Sequence, residues 1–580
     1  MAVNYHRRHI ILIWGALECF FFSGIVFGWP GFLTEILAHT GYFSDVCTNI
    51  GNDSNDSVTD LLTSDVDPPT EVTLDTIGSD VRRVISSNLV QDGKRNLTNA
   101  LHKIQQTNAD DDDDNNHNNY EPYDSDVFRM LHTNETCRLQ RDEIHIVYVV
   151  AISIMCILSL FGGIFYDLFG TMRTRIIVMV LFTVSTLLVA FTAPHQPWLL
   201  YVSMSLLSFA GLLLLMTNVQ VANLFGSKRY TVMAFYVGTF DTSRLILFLI
   251  EKTTEVGINA QLSFMFITVC IIPFLIGTIA LLPNRQIPWP LPEHYGKDKR
   301  RSSYQDIRQD SFQKGDRGGS QKRRKQLPPK ISFKQAALSS IYFTHVIWYS
   351  LLSLRMNYYE DHLTENVKNL TQQHNVDKYL RLYQYFQFMG VAIAPLVGLI
   401  MDRQTHNLKG RTKMKQNICN ATIVHILVVI VTVVQMVLLL YPSANVLLPA
   451  FAFQCISRSM LYATNVTTLN LLFPQMYFGR LFGICLFASA SIVRPIQILL
   501  EYITIEQLNK DPLWIHVTLL VLTLLSAVYA VIIRLKRNVL CYKSTECAGL
   551  QISNGSETEH ENDRLKSVQT LTDRQTESSI

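Results

Sequence analysis

Five charged side chains stand deep inside apolar runs of this sequence: Glu18, Asp241, Arg244, Arg458 and Arg494. Charge at the middle of a bilayer is costly, so it faces a water-filled cavity or another charge. Carboxylates and guanidiniums in such places can hydrogen-bond a polar solute. Glu18 can accept from N–H groups of a polar solute while Arg458 donates to its acceptors. The same two offer cation and anion subsites for a free amino acid, or an ion pair across the molecule. Asp241 and Arg244, three apart on one helix, either contact the solute or neutralise each other, and with Arg494 they make a candidate cavity ion-pair set. Trp29, Trp348 and Tyr462 can stack on a flat solute, although aromatics in spans mostly pack or anchor. His345 either faces the cavity or is a satisfied core histidine. No His-rich or Cys-pair metal spacing, glycine-rich phosphate loop or Ser–His–Asp set is present. Neither catalysis, metal nor cofactor is therefore expected.

The elements that must hold these side chains are apolar runs of about 20 residues, the length that crosses a bilayer core. There are twelve, near 10–37, 143–166, 174–194, 197–225, 230–250, 260–283, 337–358, 379–401, 417–441, 445–473, 476–500 and 512–535. The chain thus reads as an all-α polytopic membrane protein, with the lipid bilayer and a small solute as partners and no nucleic acid. Basic loops lie inside. The loop 284–336 is strongly basic, with "QKRRK" at 321–325, which places it and both termini in the cytoplasm and the protein most naturally in the plasma membrane as a monomer. The loop 38–142 is acidic, with "DDDDD" at 110–114, and reads as an external, largely disordered insert. It carries sequons at Asn52, Asn55, Asn96 and Asn134 and a cysteine pair, Cys47 and Cys137, expected to form a disulfide. A further external sequon is Asn369. The remaining divisions are residues 1–37 (N-terminus and span one), 143–283 (spans two to six), 337–535 (spans seven to twelve) and a polar cytoplasmic tail over 536–580.

Motifs recur between the two sets of six spans. "GGIFYDLFGTMRTR" follows span two, with Gly163, Asp167, Gly170, Arg173 and Arg175; "GLIMDRQ" follows span eight, with Gly398, Asp402 and Arg403. "TNVQVANLFG" ends span four and "TNVTTLNLLFP" ends span ten, so Asn218 and Asn465 form a second echo. Both argue for parallel duplicated halves. The amides Asn218 and Asn465 are expected to hydrogen-bond between helices where the halves close on the cytoplasmic side.

Gly-x-x-x-Asp followed by basic residues in these two loops resembles the signature of the major facilitator superfamily, with Leu168 where the first motif usually has Arg. The resemblance implies two six-helix bundles. It also implies aspartates that tie the cytoplasmic helix ends together through ion pairs and helix dipoles, with Arg173 and Arg175 to supply the cation. Spans one, four, seven and ten would line the cavity, and three, six, nine and twelve would face lipid. The interiors of those last four carry no expected charge. "LECFFFSGIVFGWPGFL" (17–33), "GYFSDVC" (41–47), "IPWPLPEHY" (287–295), "ISRSMLY" (456–462) and "NKDPLWIHV" (509–517) are similar to the solute carrier 43 family. Within it, "FGWP" and "IPWPLP" sit nearer the nucleobase-transporting branch. That implies facilitative uniport of purine nucleobases such as adenine, guanine or hypoxanthine, with sodium-independent transport of large neutral amino acids such as leucine as the alternative. Proton coupling stays open because Glu18 and Asp241 are titratable.

Overall fold

The computed structural model describes residues 5–28, 37, 40, 42–43, 124–283, 286–291, 332–371, 376–403, 410–441, 443–506 and 513–536. Among them every regular element is helical. Nine stretches are long and apolar enough to cross a membrane, and one of these, Leu199–Glu255, holds both spans four and five. Spans one and seven complete the twelve. The expected Cys47–Cys137 pairing, the sequons at Asn52, Asn55, Asn96 and Asn134, and Trp29 lie outside what is described. Asn369 is exposed on a short helix, Leu363–Leu370, that follows span seven.

Span one is α-helical over Tyr5–Glu18, then loosens into a π turn over Cys19–Ser23 and a 3-10 turn over Ile25–Gly28. Its sequence explains the break. Ser23 hydroxyl turns back on the Cys19 carbonyl, competing with the helical ladder. Gly24 follows, and any Cβ there would collide with the Phe240 carbonyl of span five.

Spans two (Asp124–Phe169) and three (Thr171–Phe191) are separated by Gly170 alone, whose φ of 80° is natural only to glycine. Span four (Leu199–Val219) runs through a 3-10 segment, Gln220–Lys228, into span five. Span five itself breaks between Arg229–Thr242 and Leu245–Glu255. Span six is Ala260–Leu281, and span seven runs over Ser340–Asp361, its start capped by Ser339 Oγ accepting from the Tyr342 N–H at 3.2 Å. Span eight is interrupted by a 3-10 turn, Gln387–Met389, between Val376–Phe386 and Gly390–Asp402. Spans nine to twelve are Gly410–Leu439, Ala444–Leu472, Phe478–Glu506 and Leu513–Leu535.

Burial sorts these helices. Span four, 21 residues long, buries everything from Ala210 to Val219, whereas span six buries only Phe264, Ile271 and Thr278 of its 22. Apolar side chains stay exposed along span three (Ile176, Val180, Val184), six (Phe266, Val269, Ile276), nine (Ile423, Ile430, Val437) and twelve (Val521, Val528, Val531). Those are the helices the resemblance assigns to lipid, but spans two (Ile157, Phe161) and eleven (Ile498, Leu499) expose apolar side chains as well, so exposure does not set the four apart. One part of the expectation fails: Arg175 lies inside span three and is fully buried. The single-residue turn at Gly170 starts the helix early enough to carry it inward.

Candidate functional site

The broken parts of spans one, five and eight converge on Arg458 of span ten. Irregular backbone at membrane depth is tolerated where protein or a cavity surrounds it. The Arg458 guanidinium pairs with Asp241 of span five at 3.2 Å and with Glu360 of span seven at 2.7 Å. Asp241 is shared: Arg244 pairs with it at 3.0 Å and Ser459 Oγ donates to its other oxygen at 3.0 Å. Phe27 and Tyr462 each place a ring 5.7 Å from the Arg458 guanidinium carbon. The approach of span eight depends on Gly390, where a Cβ would stand 2.8 Å from Asp241 Oδ2.

One property of this cluster decides what it can do. Asp241 and Arg458 belong to opposite halves, yet each also has a counter-ion within its own half, Arg244 for Asp241 and Glu360 for Arg458. Removing one partner of a buried pair normally strands an uncompensated charge at a cost of about 3–5 kcal/mol. Here the halves can part, or a polar solute can insert, and both charges remain neutralised.

Asp241, Arg458 and Tyr462 therefore meet as the sequence suggests. Glu18 does not join them. It is fully buried and accepts from Arg175 Nη1 at 2.6 Å and from Thr278 Oγ1 at 2.9 Å, while Arg175 also donates to Asn218. Its partner is thus Arg175 of its own half, not Arg458, because span three packs against that side of span one. His345 is likewise drawn away: its ring nitrogens face Tyr529 Oη and Asn465 Oδ1, both at 2.9 Å. Trp348 packs on His345 and His425, with centroids 5.5 and 4.6 Å apart, and so is no stacking platform at the central cluster. Arg494 pairs with Asp361 at 3.4 Å near the far end of span seven, separate from Asp241 and Arg244. Asn218 and Asn465 bridge helices, but each within its own half instead of across the closure.

The halves close at the end of the bundle where the central loop enters. Asp167 accepts from the backbone N–H groups of Gly479 and Arg480 at 3.0 and 2.9 Å, at the first turn of span eleven. Asp402 accepts from those of Tyr230 and Thr231 at 3.3 and 2.7 Å, at the first turn of span five. Each carboxylate thus reaches across to the unsatisfied donors and positive dipole end of a helix in the other half. Close approach needs the motif glycines: a Cβ on Gly163 would collide with the Gly479 carbonyl, and one on Gly398 with the backbone of Tyr230 and Thr231. The cation beside Asp167 is Arg480, at 3.6 Å, in place of the expected Arg173 or Arg175. Arg173 is exposed, 6.0 Å from the Phe169 ring, and Arg403 is exposed too.

The other amides of "TNVQVANLFG" hold the chain that leaves span six. Gln220 Oε1 accepts from the Ile287 N–H at 3.0 Å and Asn223 Nδ2 donates to the Ile287 carbonyl at 2.9 Å. Gln475, from the other half, donates to that same carbonyl at 3.0 Å. Arg229 stacks over Trp289, 4.6 Å from the ring centre.

Sequence reasoning misses Glu360, Ser459 and Phe27 at the central cluster, and Arg480 and Gln475 at the closure. Glu360 is beyond the expected end of span seven at 358, because the helix continues to Asp361. Arg480 could have been found by asking which helix start must meet Asp167.

The chain matches the Major Facilitator Superfamily over residues 127–496. It is similar to equilibrative nucleobase transporter 1 of Bos taurus, 30% identical over 418 residues that cover 68% of this chain and 84% of that protein. It is also similar to large neutral amino acids transporter small subunit 3 of Mus musculus, 21% identical over 469 residues covering 68% and 82%. Among solved structures it resembles the E. coli fucose:proton symporter, with 11% identity, a TM-score of 0.44 and coverage of 67% of this chain and 90% of that one.

Proposed function

The chain belongs to the major facilitator superfamily, and from that premise we propose that it carries purine nucleobases across a membrane by facilitative, alternating-access transport. The observation that carries this reading is the Asp241–Arg458 pair between the halves, with a second counter-ion behind each member. A solute with both N–H donors and ring acceptors inserts between the two, satisfying carboxylate and guanidinium in turn. Phe27 and Tyr462 offer π faces beside a flat ring. The flanking Arg244 and Glu360 hold the vacated charges, so the empty carrier returns without a stranded ion. Nothing in such a cycle requires a co-transported proton, which supports uniport. The aspartate clasps at Asp167 and Asp402, on the side of the basic central loop, form the cytoplasmic gate. The plasma membrane is the compartment that fits an acidic external insert with sequons.

A second reading has its own support. Two guanidiniums and two carboxylates also suit the carboxylate and ammonium of a neutral amino acid, the substrate class in the name of the mouse relative. Uptake of labelled adenine against labelled leucine, in expressing cells with and without a pH gradient, separates the two. Adenine uptake indifferent to the gradient is expected. Leucine uptake without adenine uptake overturns the first reading.

A further inference from the structure

Gln387 stands in the 3-10 turn that interrupts span eight, one of the three helix breaks around Arg458. Its side chain is buried, and its amide oxygen accepts from Arg458 Nη1 at 3.5 Å. Its amide nitrogen is buried and has no hydrogen-bond partner among the described residues. Buried polar groups are nearly always paired, and each exception calls for an explanation. Turning the amide over does not supply one. The flipped NH2 would point at the Arg458 guanidinium, donor against donor, so Arg458 fixes which face of the amide carries the oxygen. The N–H pair is therefore held as an unused donor beside the cross-half ion pair. Gly390, three residues on, keeps this turn close against Asp241 and Ser459.

We propose that Gln387 is a specificity-determining residue whose amide N–H donates to a ring nitrogen of the solute, a heterocyclic base. The assignment rests on the transport reading above and adds the chemical feature being read. Asp241 and Glu360 only accept, so they select for N–H groups on the solute. Gln387 donates, so it selects for a lone pair in the ring plane. An aliphatic side chain offers no such acceptor, so an amino acid could meet this donor only through its carboxylate.

The test is transport of adenine and its 1-deaza, 3-deaza and 7-deaza analogues, each lacking one ring acceptor, in cells with surface protein measured. Wild type is expected to carry at least one analogue tenfold or more slowly than adenine. Gln387→Leu is expected to slow adenine tenfold and to carry adenine and that analogue within twofold of each other, since the donor that told them apart is gone. Gln387→Met, closer in volume, replaces the leucine variant if the latter does not reach the surface. Equal rates for all four bases in wild type, or discrimination that survives in the variant, overturns the assignment while leaving the transport reading intact. Absence of purine flux in wild type overturns the transport reading itself.

Discussion

Two fully buried polar clusters occupy matching places in the two halves and are built from different chemistry. In the first half Glu18, Arg175, Asn218 and Thr278 come from spans one, three, four and six, and the core of the cluster is an ion pair. In the second half His345, His425, Asn465 and Tyr529 come from spans seven, nine, ten and twelve. There the contacts are neutral: an imidazole between an amide and a phenol, packed on Trp348. The asparagine recurs, and its partners do not. An amide can accept from a guanidinium or from an imidazole N–H, so one residue seats either chemistry. The difference lies in tolerance. A neutral network loses one hydrogen bond at a time, whereas each member of an ion pair needs the other.

That contrast can be broken by substitution. The largest effect expected is for Arg175→Ala, which leaves Glu18 buried and unpaired: about 3–5 kcal/mol of stability, read as thermal unfolding of the detergent-solubilised protein. Glu18→Gln strands Arg175 in the same way. With Arg175 as its partner, this variant should lower the amount of folded protein as well as any flux. The double variant Glu18→Leu with Arg175→Met sharpens the point. Replacing both charges by apolar groups is often neutral, so it should recover most of the stability that either single change loses. Additive losses would mean the pair is not the unit described here. Next comes Tyr529→Phe, which removes one hydroxyl from the neutral cluster and should cost about 1–3 kcal/mol. A loss as large as that of Arg175→Ala would erase the distinction between halves. The smallest effect belongs to Cys19→Ala. The Cys19 thiol accepts from Asn218 Nδ2 at 3.2 Å and is also hydrogen-bonded with the Ser23 side chain, and about 1 kcal/mol or less should follow, since sulfur is a weak acceptor.

Span count and the duplicated motifs were legible because they depend on hydrophobicity and order along the chain. Partners were not, because a sequence gives depth in the bilayer but not the direction a side chain points around its helix. Glu18 and Arg458 are both deep, and depth alone made them candidates for each other. Arg175 stands at the very start of the expected span three, and Gly170, making the turn in one residue, starts the helix early enough to place it deeper. Gln387 was passed over for a different reason: a search for charge does not register a neutral amide whose importance lies in an unmade bond.

The strap at Ile287 has a consequence for how far apart the halves can drift. A peptide carbonyl has two lone pairs, and here each half takes one, through Asn223 and through Gln475. The first half adds Gln220 and the stacked Arg229, and Arg229 in turn donates to Asn470 of the second half at 3.5 Å. If the halves separate at this end and the Gln475 bond gives way, Gln220 and Asn223 keep the strap with the first half. The connection between the two bundles is then counted from residue 291, not from the end of span six, and a shorter connection raises the effective concentration of the detached end near its dock. Reclosure becomes a ring closure over a shortened loop, and its speed should depend on the length of the chain beyond the strap.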